Sequence, residues 1–171
     1  VHHLAQGSIR IAEFVGEPGT RLEQLAATFS RAGIPCEACA DLARIRWEKL
    51  VWNIPFNCLC ALTGLPTDRL LACAETRQLI AELMQEVIDA ANRQNLSQPI
   101  EAPGFIERML QVTAGMGAYR PSMMIDRLNH QPLELEAIYQ VPLQRAAAAG
   151  TPMTRVAMLH ALLEATENDR D

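Results

Sequence analysis

Lys49, Asn53 and Asn57 recur at i, i+4 and i+8 within Arg46-Trp47-Glu48-Lys49-Leu50-Val51-Trp52-Asn53-Ile54-Pro55-Phe56-Asn57. On a helix this spacing stacks one cation and two amides along a single face. An ammonium donor beside two groups that both donate and accept hydrogen bonds suits a small polar ligand that develops negative charge on an oxygen. The competing reading is a polar stripe turned to water. Trp47, Trp52 and Phe56 weigh against it, because amides set among such side chains must find partners or cost stability. A second cluster combines Ser122-Met123-Met124-Ile125-Asp126 with Leu133-Glu134-Leu135-Glu136-Ala137-Ile138. Ser122 follows a proline, where a hydroxyl caps a helix and the helix N-terminus attracts anions. Glu134 falls where the next helix starts and its carboxylate suits the dipole. Cap and dipole partner are the ordinary structural roles of these two residues.

The elements that must hold these groups are mostly helices. The pattern predicts one long helix over Leu42 to Leu62, with a kink or break at Pro55, which lacks a backbone donor and presses on the preceding turn. Gly64-Leu65-Pro66 stops it, Thr67-Asp68 caps the next, and further helices run over Glu75 to Gln94 and from Pro103 towards Ala118. A short helix follows Arg120-Pro121-Ser122 as far as Leu128, then a turn over Asn129 to Pro132. Leu133 to Ala149, closed by Gly150, and Thr154 to Glu167 complete the series. Residues 1–40 differ in kind. Ser8 to Val15 alternates partly like a strand, Gly16 to Gly19 turns, Arg21 to Ala32 has helical spacing ended by Gly33, and Ile34 to Ala38 suits a short strand. The expected architecture is therefore mainly α. A small α/β fragment over residues 1–40 precedes a helical domain over 41–171.

With 171 residues the chain can bury one main core. A hydrophobic fraction of 49% with only 5% aromatics fits a helix-dominated globular protein rather than a disordered one. A net charge of -5 argues against nucleic acid or an anionic membrane as the main partner. No apolar run reaches membrane-spanning length, and the first residues lack the basic-then-apolar order of a signal peptide, so a cytoplasmic location is expected. Lys49 is the only lysine. Five cysteines form no disulfide framework. Cys36-Glu37-Ala38-Cys39 fits CxxC once, with His2 and His3 the nearby candidates for a zinc site; ordinary reduced thiols are the simpler expectation, and no metal is assigned. Cys58, Cys60 and Cys73 sit among apolar residues and are expected in the core.

Taken together, Arg46-Trp47-x-Lys49-Leu50-x-x-Asn53-x-x-x-Asn57-x-Leu59-x-Ala61-Leu62-Thr63 and Pro121-Ser122-Met123-x-x-Asp126 with Glu134 resemble the two signature motifs of the ketopantoate reductase (2-dehydropantoate 2-reductase) family, in its C-terminal domain. Val1-His2-His3 through Glu13 resembles the last strands of that family's nucleotide-binding domain. The resemblance implies a helical domain like the C-terminal domain of 6-phosphogluconate dehydrogenase, preceded by a remnant of a Rossmann domain. It also implies reduction of the 2-keto acid ketopantoate to pantoate with NADPH, in pantothenate biosynthesis. By position, Lys49 matches the family's general acid and Glu134 its second catalytic residue, while Asn53, Asn57 and Ser122 match substrate contacts. The sequence departs at Thr67, close to where an asparagine often lies, and at Leu133, where a threonine is usual, which leaves a related 2-keto acid open as substrate. No G-x-G-x-x-G occurs, so NADPH is expected to be bound mainly outside these residues, and the chain by itself is expected to be inactive. Strand-like segments without neighbours leave edges that a homodimer would cover. The alternatives are a helical dimerisation module without catalysis, or a relative acting on another keto or amino acid.

Overall fold

The computed structural model describes residues 7–168; Val1 to Gln6, with the zinc candidates His2 and His3, and residues 169–171 lie outside them. The chain divides into two compact units, one up to Arg46 and one from Trp47.

In the first unit, β1 (Ile9–Ile11) and β2 (Cys36–Ala38) pair in parallel, with Ile9 opposite Cys36 and Ile11 opposite Ala38. Helix α1 (Thr20–Arg31) connects them and buries Leu22 and Ala26, one turn apart on one face. Gly33 at φ +81° lets the chain leave α1, with the Ile34 N–H bonded back to the Phe29 carbonyl at 3.0 Å. The strands are shorter than the predicted Ser8 to Val15 and Ile34 to Ala38, because a ladder extends only as far as its partner. Beyond it Phe14 and Val15 are exposed.

The second unit is helical. Helix α2 (Leu42–Thr63) begins before the division between the units, and from Ile54 to Ala61 every residue is buried. A helix enclosed on all sides must be apolar all round, which explains the Ile-Pro-Phe and Cys-Leu-Cys-Ala runs. The helix continues through Pro55, so of the kink or break expected there the break does not occur. The unit's other helices are α3 (Thr67–Ala72), α4 (Ala74–Ala91), α5 (Ala102–Gly115), α6 (Ser122–Leu128), α7 (Val141–Ala148) and α8 (Thr154–Asn168), and α2 meets α5 through Trp52 and Thr113 and α8 through Cys58 and Leu159. Helix α4 contributes the clearest core stripe, with Ile80, Leu83, Met84, Val87 and Ile88 buried at helical spacing.

Three local expectations are corrected. Thr67 does not cap α3: Pro66 holds the capping position, and the Thr67 hydroxyl, fully buried, donates instead to the Gly117 carbonyl at 3.1 Å. The helix expected from Leu133 begins at Leu135 and passes through a π-helical turn, Glu136–Gln140, before α7. Pro142 cannot donate to the ladder where that wide turn ends, and the Val141 N–H reaches back to Glu136. Cys73 is exposed, not in the core, because it occupies the non-helical junction between α3 and α4, where its thiol donates to Glu75 at 3.0 Å. That bond holds the Glu75 carboxyl below its ordinary range. Among the described residues no group of His, Cys, Asp and Glu could hold a metal, and no helix is long and apolar enough to cross a membrane.

Candidate active site

The α2 stripe is graded in depth. Lys49 is exposed, Asn53 half-buried, and Asn57 only 2% exposed inside the enclosed half of the helix. With a rise of about 1.5 Å per residue, each step down the stripe covers roughly 6 Å. The ammonium of Lys49 meets no carboxylate among the described residues. The Asn57 Oδ1 is buried with no hydrogen-bond partner. Such an atom forgoes its hydration without recompense, a cost of about 1–3 kcal/mol. The neighbouring wall is aromatic: Trp52 and Phe56 lie 5.0 Å apart by ring centroids, and Tyr119 lies 6.1 Å from Trp52. Trp52 is itself fixed, its indole N–H donating to the buried Thr113 hydroxyl at 2.8 Å, which donates on to the Met109 carbonyl.

Ser122 opens α6, but the expected cap is absent. Pro121 takes the capping position and offers no side-chain acceptor, so Ser122 lies inside the helix with its side chain exposed. Glu134 sits where the following helix begins, its carbonyl accepting the Ile138 N–H at 3.3 Å. Its side chain is exposed in a shallow depression of about 420 Å³, lined also by Leu133, Leu135, Glu136, Ala137 and Val141. Neither the α2 stripe nor Ser122 lines this depression. Among the described residues no hydrogen bond or ion pair joins two of the five candidates.

What does bring their three segments together is a residue that spacing alone had not singled out. Tyr139, in the π-helical turn, is fully buried, and its hydroxyl donates to the Ile54 carbonyl of α2 at 3.0 Å. The same hydroxyl lies 3.9 Å from Met123 Sδ, one residue past Ser122. Its ring stacks on His160 of α8 at 5.9 Å. Burial raises the phenol well above its ordinary range, the Cys58 thiol adding to the effect and the Cys58 backbone N–H opposing it. The nearby Cys58 thiol is pushed up to about 12 by burial and by Cys60, against a smaller lowering from Arg127; burial likewise takes Cys60 to about 12. Pro142 was the only sequence signal for this wide turn, and it does not reveal that the phenol reaches α2.

The family model described as the ketopantoate reductase PanE/ApbA C terminal matches residues 41–167. A curated 2-dehydropantoate 2-reductase from Nostoc sp. is 38% identical over 94% of this chain and 51% of its own length. Among solved structures, the 2-dehydropantoate 2-reductase from Geobacter metallireducens is 48% identical at a TM-score of 0.88, over 92% of this chain and 52% of that one. The enzyme of that name from Methylococcus capsulatus is 28% identical at a TM-score of 0.85, over 94% and 50%. The chain thus spans about half the length of these relatives. With the signature helix, the second motif and the helical architecture all in agreement, the chain belongs to the ketopantoate reductase family, and its helical part is that family's C-terminal domain.

Proposed function

We propose that this chain supplies the substrate-binding helical domain of an NADPH-dependent reductase that converts ketopantoate to pantoate. The observation that carries the reading is the α2 stripe, on which an exposed cation leads to a half-buried amide and then to a buried amide with an unpaired oxygen. A folded chain gains nothing from that last feature, whereas a ligand hydroxyl, which can donate to the oxygen, relieves it. Reduction at C2 of a 2-keto acid needs a hydride, which a nicotinamide cofactor supplies. The described residues do not fit that cofactor's phosphates: the segment from β1 to α1 is Ala-Glu-Phe-Val-Gly-Glu-Pro-Gly, with two carboxylates and no G-x-G-x-x-G. We therefore place the cofactor's cradle outside these residues.

The part of this chain is to receive charge and a proton. As C2 becomes tetrahedral its oxygen becomes an alkoxide, which the Lys49 ammonium stabilises and protonates, leaving a neutral amine to be recharged from solvent. Asn53 and Asn57 hold the substrate's oxygens, and Ser122, whose hydroxyl is not spent on a cap, contacts the substrate carboxylate. Glu134 accepts the substrate hydroxyl and orients it. Thr67 cannot stand in for the asparagine usual near its position, because its hydroxyl is buried and already donates to Gly117. The site therefore has one amide fewer for the far end of the substrate.

The test is Lys49→Ala in the full-length enzyme assayed with NADPH and ketopantoate. Loss of a positioned acid lowers kcat by about a hundredfold or more, with little change in melting temperature because the side chain is exposed. Near-normal kcat would remove Lys49 from the mechanism.

A further inference from the structure

Two motifs far apart in the chain have to meet with sub-ångström precision if they are to hold one small substrate, yet no candidate side chain bonds to another. The contact that links them is the Tyr139 hydroxyl. It donates to the carbonyl of Ile54, which lies between Asn53 and Pro55. The phenol thus meets α2 at the residue before Pro55, which has no N–H to give the Val51 carbonyl. On its other side the oxygen meets Met123, one residue past Ser122. Tyr139 belongs to the wide turn that begins two residues after Glu134, and the neighbouring Ile138 N–H bonds the Glu134 carbonyl.

We propose that the Tyr139 hydroxyl is a positioning group for the reaction, fixing the segment of Asn53 and Asn57 against those of Ser122 and Glu134. Helix formation does not require it, since a phenylalanine would fill the same space and keep the stack on His160. What the oxygen adds is a directional constraint on where α2 stands relative to the two other segments, and apolar packing alone sets such a distance more loosely. A displacement of about 1 Å in a catalytic constellation can cost on the order of a hundredfold in rate.

The experiment is Tyr139→Phe in the full-length enzyme, and the inference rests on the reductase reading above. Wild-type turnover of ketopantoate and its collapse in Lys49→Ala are therefore measured first; if either fails, the reductase reading falls and takes this inference with it. Given both, Y139F should remain folded and lose roughly ten- to hundredfold in kcat/KM, through a higher KM and a lower kcat. The pH profile of kcat should keep its shape, because Tyr139 carries no proton of the reaction. Asn57→Ala should cost several-fold less in the Y139F background than in the wild type, since both changes disturb the same contact with substrate. A merely structural hydroxyl would lower the melting temperature and leave that coupling absent. Y139F within about twofold of wild type, full multiplicativity with N57A, or a Y139F protein that no longer folds would each overturn the inference while leaving the reductase reading standing.

Discussion

Glu86 of α4 replaces a cap that the α8 sequence cannot provide. Met153, the residue before α8, has no side-chain oxygen, and the first-turn donors are met instead from another helix. The Glu86 carboxylate accepts the Val156 N–H at 2.9 Å, the Arg155 N–H at 3.1 Å and the Thr154 hydroxyl at 3.3 Å. Its side chain is only 12% exposed, and the Arg155 guanidinium stands 4.0 Å away. In Glu86→Ala two backbone donors lose a charged acceptor. Each such bond is worth about 1.5–3 kcal/mol when fully shielded, and lost caps typically cost about 0.5–2 kcal/mol because water recovers part of the bond. A loss of roughly 2–3 kcal/mol follows, which in a chain of this size lowers the melting temperature by about 5–10 °C. Glu86→Gln keeps one carbonyl acceptor and gives up the attraction of the charge for the helix dipole, so it should fall about midway. Thermal unfolding of the purified chain, followed by circular dichroism, measures both. An E86A protein melting within about 1 °C of wild type would refute the capping role, as would an E86Q protein less stable than E86A.

Other expectations concern accessibility and assembly. With their thiols held near 12, Cys58 and Cys60 should resist alkylation by iodoacetamide in the native chain at pH 8, whereas exposed Cys73 reacts promptly; peptide mapping before and after unfolding reads the difference, and native labelling of Cys58 would contradict its burial. Calorimetry of the isolated 171-residue chain with NADPH should show no binding in the micromolar range, and tight binding would place a cofactor site among these residues after all. We further propose that the isolated chain forms a homodimer that covers its two-stranded sheet, so light scattering should return twice the chain mass, and a monomer at high micromolar concentration would exclude it.

The layout of the candidate α2 stripe was legible because it depends on local period. Spacing alone puts Lys49, Asn53 and Asn57 on one face, and Gly33, Gly64 and Gly150 at positive φ mark helix ends that the sequence punctuates. Depth was not legible: that α2 is enclosed on all sides, so that Asn57 is buried while Lys49 is not, depends on helices that follow much later in the chain. Ser122 and Thr67 were misjudged for one reason. Each follows a proline and was expected to cap, but the proline itself occupies the capping position, leaving Ser122 exposed and Thr67 turned to a carbonyl fifty residues away. Glu86 and Tyr139 both act over comparable or longer separations, through bonds that no local pattern encodes.

Lys49 being both the only lysine and exposed has a practical side. Apart from the chain's amino terminus, an acylating reagent finds a single amine to modify in these 171 residues, and it lies at the head of the proposed substrate stripe. One mass increment on one peptide would then report occupancy of the site, since a keto acid seated beside the ammonium should slow its acylation. The chain carries its own footprinting probe, usable without any engineered label.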